Sequence, residues 1–205
     1  MKQVAIACLM AGLLAGGVAA EGQSPEEIIV ATADAVDARL TGRQAYLEEN
    51  PDELFAIVDE VLLPHFDREY AARLVLARNW RRATPEQRSR FIDVFYNFLL
   101  RNYANGILKF NRDSLTVLPE RGGSPPGKAR VATEMSLDDG TRVPVDYFFR
   151  EVDSQWRVFD IKIEGISYVV NYRNQFATEI KTKGLDAVIA RLEGASGDSE
   201  EPTET

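Results

Sequence analysis

The chain has 205 residues, 32 acidic against 24 basic side chains and a formal net charge of -8. The acidic excess argues against a nucleic-acid partner, which needs clustered Lys and Arg, and against static adsorption to an anionic bilayer. With a single histidine and a single cysteine, the usual zinc ligands are missing, and we expect no metal and no other cofactor.

The first 20 residues have the pattern of a secretory signal. Lys2 precedes a short apolar run, Val4–Leu14, and small residues follow through Ala20. The run is shorter than the roughly 20 residues of a membrane-spanning helix, so we expect an exported chain that is soluble in the periplasm. Cys8 leaves lipidation open as an alternative. Removal of the signal would leave no cysteine for a disulfide.

Capping patterns predict helices through the N-terminal half. Ser24-Pro25-Glu26-Glu27 is typical of a capping box and predicts a helix to about Leu40. Asn50-Pro51-Asp52-Glu53 repeats this capping pattern and begins another helix that ends at Pro64, and Asp67 precedes a third that leads to Trp80.

Thr84-Pro85-Glu86-Gln87 predicts the start of the longest helix. Its apolar stripe is wider than a coiled-coil seam and rich in aromatic rings. The rings either fill a core against a sheet or line a cavity, and both interpretations remain open. The stripe consists of Phe91, Phe95, Phe98, Leu99, Tyr103, Ile107 and Leu108.

Apolar residues then alternate, as in strands. Ser114–Leu118 predicts a short strand and residues 119–128 a loop. Turns at Asp139-Gly140 and Asp153-Ser154 separate the strands that follow. Strict alternation places the following side chains on one face: Val131, Thr133, Met135, Leu137, Val143, Val145, Tyr147, Phe149, Phe159, Ile161 and Ile163.

The pattern becomes helical again after Gly165, and Gly184 precedes a last short helix. The sequence therefore predicts an α+β fold, in which several helices cover a curved antiparallel sheet of about four strands. We expect one domain over residues 21–193 and a disordered acidic tail over residues 194–205.

Catalytic patterns are weak. Gly165-Ile166-Ser167 lacks the last glycine of a nucleophile elbow, and with one histidine in the chain no Ser-His-Asp triad is credible. Asp146 and Asp160 stand beside aromatic residues and would suit acid–base chemistry if buried, but alternation turns both away from the apolar face. We assign no catalytic residue, and an acid–base enzyme remains an alternative.

A local basic run surrounds Trp80 on an otherwise acidic chain. Such a run is either a solvated face with helix salt bridges or a surface for docking or for a headgroup. Its members are Arg78, Arg81, Arg82, Arg88, Arg90 and Arg101.

Three motifs in the C-terminal half carry a resemblance: Trp156-x-Val158-Phe159-Asp160, Glu164-Gly165-Ile166-Ser167 and Asn171-Tyr172-Arg173-x-Gln175-Phe176. They resemble the signature of the MlaC family of periplasmic phospholipid-binding proteins, also called the toluene-tolerance auxiliary family. The likeness extends over nearly all of the chain between the signal and the tail. Ala77 stands where the family usually has glycine, which asks for slightly more room, and Phe159 where tyrosine is common.

The resemblance implies a fold similar to the nuclear-transport-factor-like (NTF2-like) cone, with a deep apolar pocket for phospholipid acyl chains. It also implies a monomeric, non-enzymatic carrier that shuttles lipid between the outer-membrane lipoprotein MlaA with its porin and an inner-membrane ABC transporter bearing MlaD. Such transport maintains outer-membrane lipid asymmetry. A small-molecule enzyme in a similar cone and a protein-binding module without lipid remain alternatives.

The candidate pocket residues come from the long helix, the sheet and the last long helix. They are Phe91, Phe95, Leu99, Tyr103, Val131, Met135, Val145, Tyr147, Phe159, Ile161, Ile163, Ile166, Val169 and Tyr172. Arg78, Arg81, Arg82 and Arg173 are the candidates for facing a partner or a headgroup.

Overall fold

The computed structural model describes residues 22–195, apart from 121 and 138. The predicted signal and residues 196–205 of the predicted tail lie outside this part of the chain. No helix within it is both long and apolar enough to cross a membrane. The helices are α1 (Pro25–Leu40), α2 (Gln44–Glu49), α3 (Pro51–Val61), α4 (Arg68–Leu76), α5 (Pro85–Leu108), α6 (Tyr168–Lys183) and α7 (Leu185–Ala195). The strands are β1 (Leu115–Val117), β2 (Lys128–Ser136), β3 (Arg142–Val152), β4 (Gln155–Ile163) and β5 (Ile166–Ser167).

Two predicted capping boxes begin their helices as expected, whereas the one predicted at Asn50 is wrong, because the Asn50 side chain makes no cap hydrogen bond. The Ser24 hydroxyl accepts a hydrogen bond from the Glu27 amide, and the Glu27 carboxylate accepts one from the Ser24 amide. Thr84 and Gln87 exchange the same pair of bonds before α5. Each box satisfies amides that have no partner within the helix. Helix α2 was not predicted, because it is short and has no side-chain cap.

The end of α4 differs from the expectation for Ala77. This residue adopts φ 48° and ψ -117°, a backbone region that favours glycine because a Cβ atom is crowded there. The departure from the family's usual glycine therefore concerns backbone conformation and not the room around the side chain.

The five strands form one open, curved antiparallel sheet in the order β1-β2-β3-β4-β5. The predicted α+β class is confirmed, with five strands in place of about four. The additional strand, β5, arises because Glu164 and Gly165 both have positive φ and turn the chain back onto β4. Ile166 therefore lies in β5 and not, as predicted, in a helix.

A β-bulge interrupts the alternation of β4. Phe148 pairs with Asp160, whereas Phe149 pairs with Val158, so Phe159 is the extra residue. The prediction of unbroken alternation was wrong at this point. Val158 is buried beside Phe149, while the Phe159 ring meets Tyr70 of α4 edge-on at 5.2 Å.

The buried side chains form three clusters. The helical cluster joins α4, α5, α6 and α7. The sheet cluster lies between α1 and the sheet, and a third cluster joins α1, α2 and α3 to the later part of α5. Helix α5 thus packs mainly on other helices, whereas α1 packs on the sheet at β1 and β2, and α4 and α6 contact β4.

Candidate functional site

The apolar face of the sheet is covered only in part. Cross-strand pairing brings Val131 beside Tyr147, Tyr147 beside Ile161, and Val145 beside Ile163. Val131 and Val145 are buried, whereas the other side chains of the face are half-buried. We call the following residues the sheet face: Val131, Met135, Val145, Tyr147, Ile161 and Ile163. Their uncovered apolar area is available to an apolar ligand.

Several large apolar side chains are exposed on the elements around the sheet face. Leu137 follows β2 and is 48% exposed, and Ile166, opposite Ile163 in β5, is 60% exposed. Val170 of α6 and Tyr103 of α5 are 45% and 39% exposed. We call Tyr103, Leu137, Ile166 and Val170 the apolar rim. Ile166 continues the sheet face directly, so that face reaches solvent at β5.

The aromatic stripe of α5 lies in a different place. Phe91 and Phe95 are 0% and 5% exposed and stack at 5.5 Å, and both contact Phe176 of α6 edge-on. Tyr172 meets Phe95 at 5.3 Å. The interpretation that these rings pack against a sheet was wrong, because α6 and α7 enclose them.

The predicted pocket residues therefore fall into two groups. Phe91, Phe95, Val169 and Tyr172 are buried in the helical cluster, and Leu99 packs against it. The sheet-face residues and the exposed Ile166 form the other group. Phe159 stands apart on the bulge, against Tyr70. Of these groups, the second is the one that reaches solvent at β5, through Ile166.

Three tyrosines from α5 and α6 contact one another beside the helical cluster. The Tyr103 and Tyr172 hydroxyl oxygens are 3.1 Å apart, and the Tyr103 and Tyr168 rings pack edge-on at 5.1 Å. Burial raises the pKa of both Tyr103 and Tyr168. The interaction with Tyr172 raises the pKa of Tyr103 further, whereas that with Tyr168 opposes the rise. These hydroxyls are neutral hydrogen-bonding groups beside the apolar rim.

The two carboxylates considered for catalysis have structural partners. Asp160 accepts hydrogen bonds from the Ser167 hydroxyl at 2.6 Å and from the Val169 amide at 3.0 Å. The Ser167 hydroxyl also accepts a bond from the Val170 amide. Both side chains thus cap α6. Asp146 forms an ion pair with Arg130 at 2.9 Å.

The predicted basic run divides into engaged and unengaged arginines. Arg88 lies over the Trp80 ring, Arg90 pairs with Glu193, and Arg101 lies over Phe55. Arg173 donates a hydrogen bond to the Leu74 carbonyl at 2.8 Å and so ties α6 to α4. The exposed side chains of Arg78, Arg81 and Arg82 have no hydrogen bond or ion pair with any residue that the structure describes.

Sequence reasoning missed two candidates beside the sheet face. Val158 belongs to the sheet cluster, but the bulge that places it there cannot be read from alternation. The buried Thr32 hydroxyl of α1 has no hydrogen-bond partner among the described residues. Its position one turn after Ile28 was a sequence signal that it faces the interior.

The described residues contain no group of three or more His, Cys, Asp or Glu side chains that could hold a metal ion. What this geometry offers is a surface for an apolar ligand with a few neutral hydroxyls at its edge.

Comparison with known proteins agrees with this geometry. A family model described as MlaC protein matches residues 30–194. The chain belongs to this family. It is 26% identical over 166 residues to the toluene tolerance protein ttg2D of Pseudomonas putida, covering 80% of this chain and 76% of that one. It is 21% identical over 174 residues to the intermembrane phospholipid transport system binding protein MlaC of Haemophilus influenzae, covering 83% and 81%.

A solved structure supports the MlaC fold. The phospholipid-binding protein of Ralstonia solanacearum, solved in complex with a phospholipid, superimposes with a TM-score of 0.75 at 26% identity. The match covers 82% of this chain and 94% of that one.

Proposed function

We propose that this MlaC-family chain is a periplasmic phospholipid carrier that holds acyl chains against the sheet face. The observation that carries the proposal is the half-buried apolar face, which the exposed Ile166 extends to solvent beside Ile163. The phospholipid in the Ralstonia solanacearum relative supports the same class of ligand.

The proposed mechanism is non-covalent. Each CH₂ that leaves water contributes roughly 0.8 kcal/mol, so two acyl chains need an enclosed apolar surface to cross an aqueous compartment. The sheet face would bind the chains, and the rim would let them enter and leave. The structure assigns Asp160 and Ser167 to helix capping, and the mechanism uses no catalytic residue.

The transport route is part of the proposal. By its family, the carrier would receive or deliver lipid at MlaA with its porin in the outer membrane and at the MlaD-bearing ABC transporter in the inner membrane, and so maintain lipid asymmetry. Residues 1–20 would direct export, and the carrier would act as a monomer.

Native mass spectrometry of the full chain, purified without delipidation, tests the function. We expect co-purifying phospholipid in the wild type and its loss in Ile161→Gln. Lys162→Gln is the matched control, because this neighbour pairs with Asp146, whose side chain lies opposite the sheet face. Ile166→Glu is a second variant that cannot fail by unfolding the core, since its side chain is 60% exposed, and we expect slower lipid uptake.

The carrier function would be refuted if the wild-type protein contained no phospholipid and its thermal unfolding midpoint did not change when phospholipid was added. Equal lipid content in Ile161→Gln and Lys162→Gln would refute the sheet face as the binding surface.

A further inference from the structure

Unpaired positive charge is concentrated on one surface of this acidic protein. Most described arginines face a carboxylate within 4 Å, as Arg112 faces Asp34 and Arg191 faces Glu179. Arg73, Arg78, Arg81 and Arg82 are all exposed. Within the described residues 22–195, none of these four guanidinium groups has an ion pair or a hydrogen bond. We call these four residues the arginine surface.

The backbone beneath this surface is held from two sides. Arg88 donates a hydrogen bond to the Trp80 carbonyl at 2.9 Å while its guanidinium lies 5.3 Å from the Trp80 ring centroid. Arg173 of α6 donates to the Leu74 carbonyl. Arg78, Arg81 and Arg82 therefore stand on a held turn between α4 and α5, and Arg73 stands on α4 before it.

Two concave sites share this surface, with Arg78 lining both. One, of about 340 Å³, has Leu74, Ala77 and Trp80 among Arg73, Arg78, Arg81 and Arg173. The other, of about 430 Å³, combines apolar Ala177, Ile180 and Leu185 with Arg78, Arg82 and Lys181. Each site thus places apolar side chains beside unpaired positive charge.

This combination fits a protein better than a bilayer. Tryptophan and arginine are enriched where protein interfaces are most strongly bound. A concave apolar site accepts a protruding side chain, and the arginines around it suit carboxylates on either side of that side chain. A bilayer surface is flat, and the chain's net charge of -8 opposes its approach to anionic lipid.

We propose that the arginine surface docks an acidic, apolar-tipped segment of a protein partner. The identity of that partner rests on the proposed function, in which the carrier meets a protein complex at each membrane. The surface lies on α4 and the turn after it and shares no residue with the sheet face, so docking and lipid binding use different residues.

The test replaces Arg73, Arg78, Arg81 and Arg82 together with glutamine in the full chain. The control replaces four carboxylate-paired arginines, Arg39, Arg43, Arg90 and Arg191, which removes the same charge elsewhere. Binding to purified MlaD and to the purified MlaA–porin complex of the same organism is measured at low and high salt. We expect the first variant to bind at least one complex about tenfold or more weakly and to lose most of its salt dependence, and the control to change less than about twofold.

Three results would overturn the proposal. The first is that the wild type binds neither complex, or that the four-arginine variant binds both as tightly as the wild type. The second is flotation with vesicles of phosphatidylglycerol and phosphatidylethanolamine that depends on these arginines. The third is a change in the amide NMR shifts of residues 77–82 when residues 196–205 are deleted. The last result would make the chain's own tail the occupant. Phospholipid content is measured on the wild type and on every variant. A wild type without phospholipid would count against the carrier function and not against the docking surface.

Discussion

The helical cluster and the sheet face contain similar apolar side chains but differ in closure. Phe91, Phe176 and Ile189 are 0–1% exposed and are enclosed by neighbouring helices. Tyr147, Ile161 and Ile163 are only half-buried. Apolar content alone therefore does not identify a ligand site, because the same residue types form a closed core in one region and an accessible surface in the other.

Truncation inside the closed region tests this contrast most strongly. Phe91→Ala is expected to lower the free energy of unfolding by about 3–5 kcal/mol, because the ring is fully buried and its removal leaves a cavity. Urea unfolding measures the change, with the half-buried Phe98→Ala on the same helix as a milder control. Phospholipid per folded molecule should stay constant. Its loss in Phe91→Ala would show that the helical cluster also contacts lipid.

The junction between the two regions should show an intermediate effect. Asp160→Ala leaves the Ser167 hydroxyl and the Val169 amide without their acceptor, and we expect a loss of about 1–3 kcal/mol in unfolding free energy. Asp160→Asn keeps an acceptor oxygen and should lose less. Both variants should still carry lipid, whereas loss of a turnover activity at unchanged stability would revive the enzyme alternative.

The raised pKa values of Tyr103 and Tyr168 predict that the folded protein becomes less stable at alkaline pH. Burial raises the native pKa of Tyr103 and Tyr168 above the ordinary value of 10.0, so the unfolded chain loses these protons first. Their contribution is fully present below pH 10 and falls as the pH rises from there towards the native pKa. Urea midpoints between neutral pH and pH 11 check this. Tyr103→Phe with Tyr168→Phe should flatten the decline, and an equally steep decline in that variant would contradict the assignment.

The smallest effect is expected on the opposite side of the sheet. Arg130→Gln removes a half-exposed ion pair with Asp146, and such pairs contribute less than about 1 kcal/mol. Lipid content should not change. A drop in lipid with Arg130→Gln would mean that the two sides of the sheet are not functionally distinct.

Local signals predicted the parts of the fold that local chemistry decides. Ser24 and Thr84 capped their helices as expected because a capping box involves only four neighbouring residues. The bulge at Phe159 depends on register with β3, and the partners of Phe91 depend on how α6 and α7 return across α5. No pattern within one segment specifies such long-range packing. The candidate pocket residues were therefore predicted as one set, although most of them divide between the helical cluster and the sheet face.

Ala77 keeps a backbone conformation that favours glycine. Strain of this kind is of order 1–3 kcal/mol in the native state. Glycine would relieve it, but would also widen the conformational freedom of the unfolded chain, which lowers stability by about 0.4–1 kcal/mol. The strain is the larger of the two effects, so Ala77→Gly should stabilise the protein. The turn that presents the unpaired arginines is therefore held in shape by its neighbours, against the preference of its own residue.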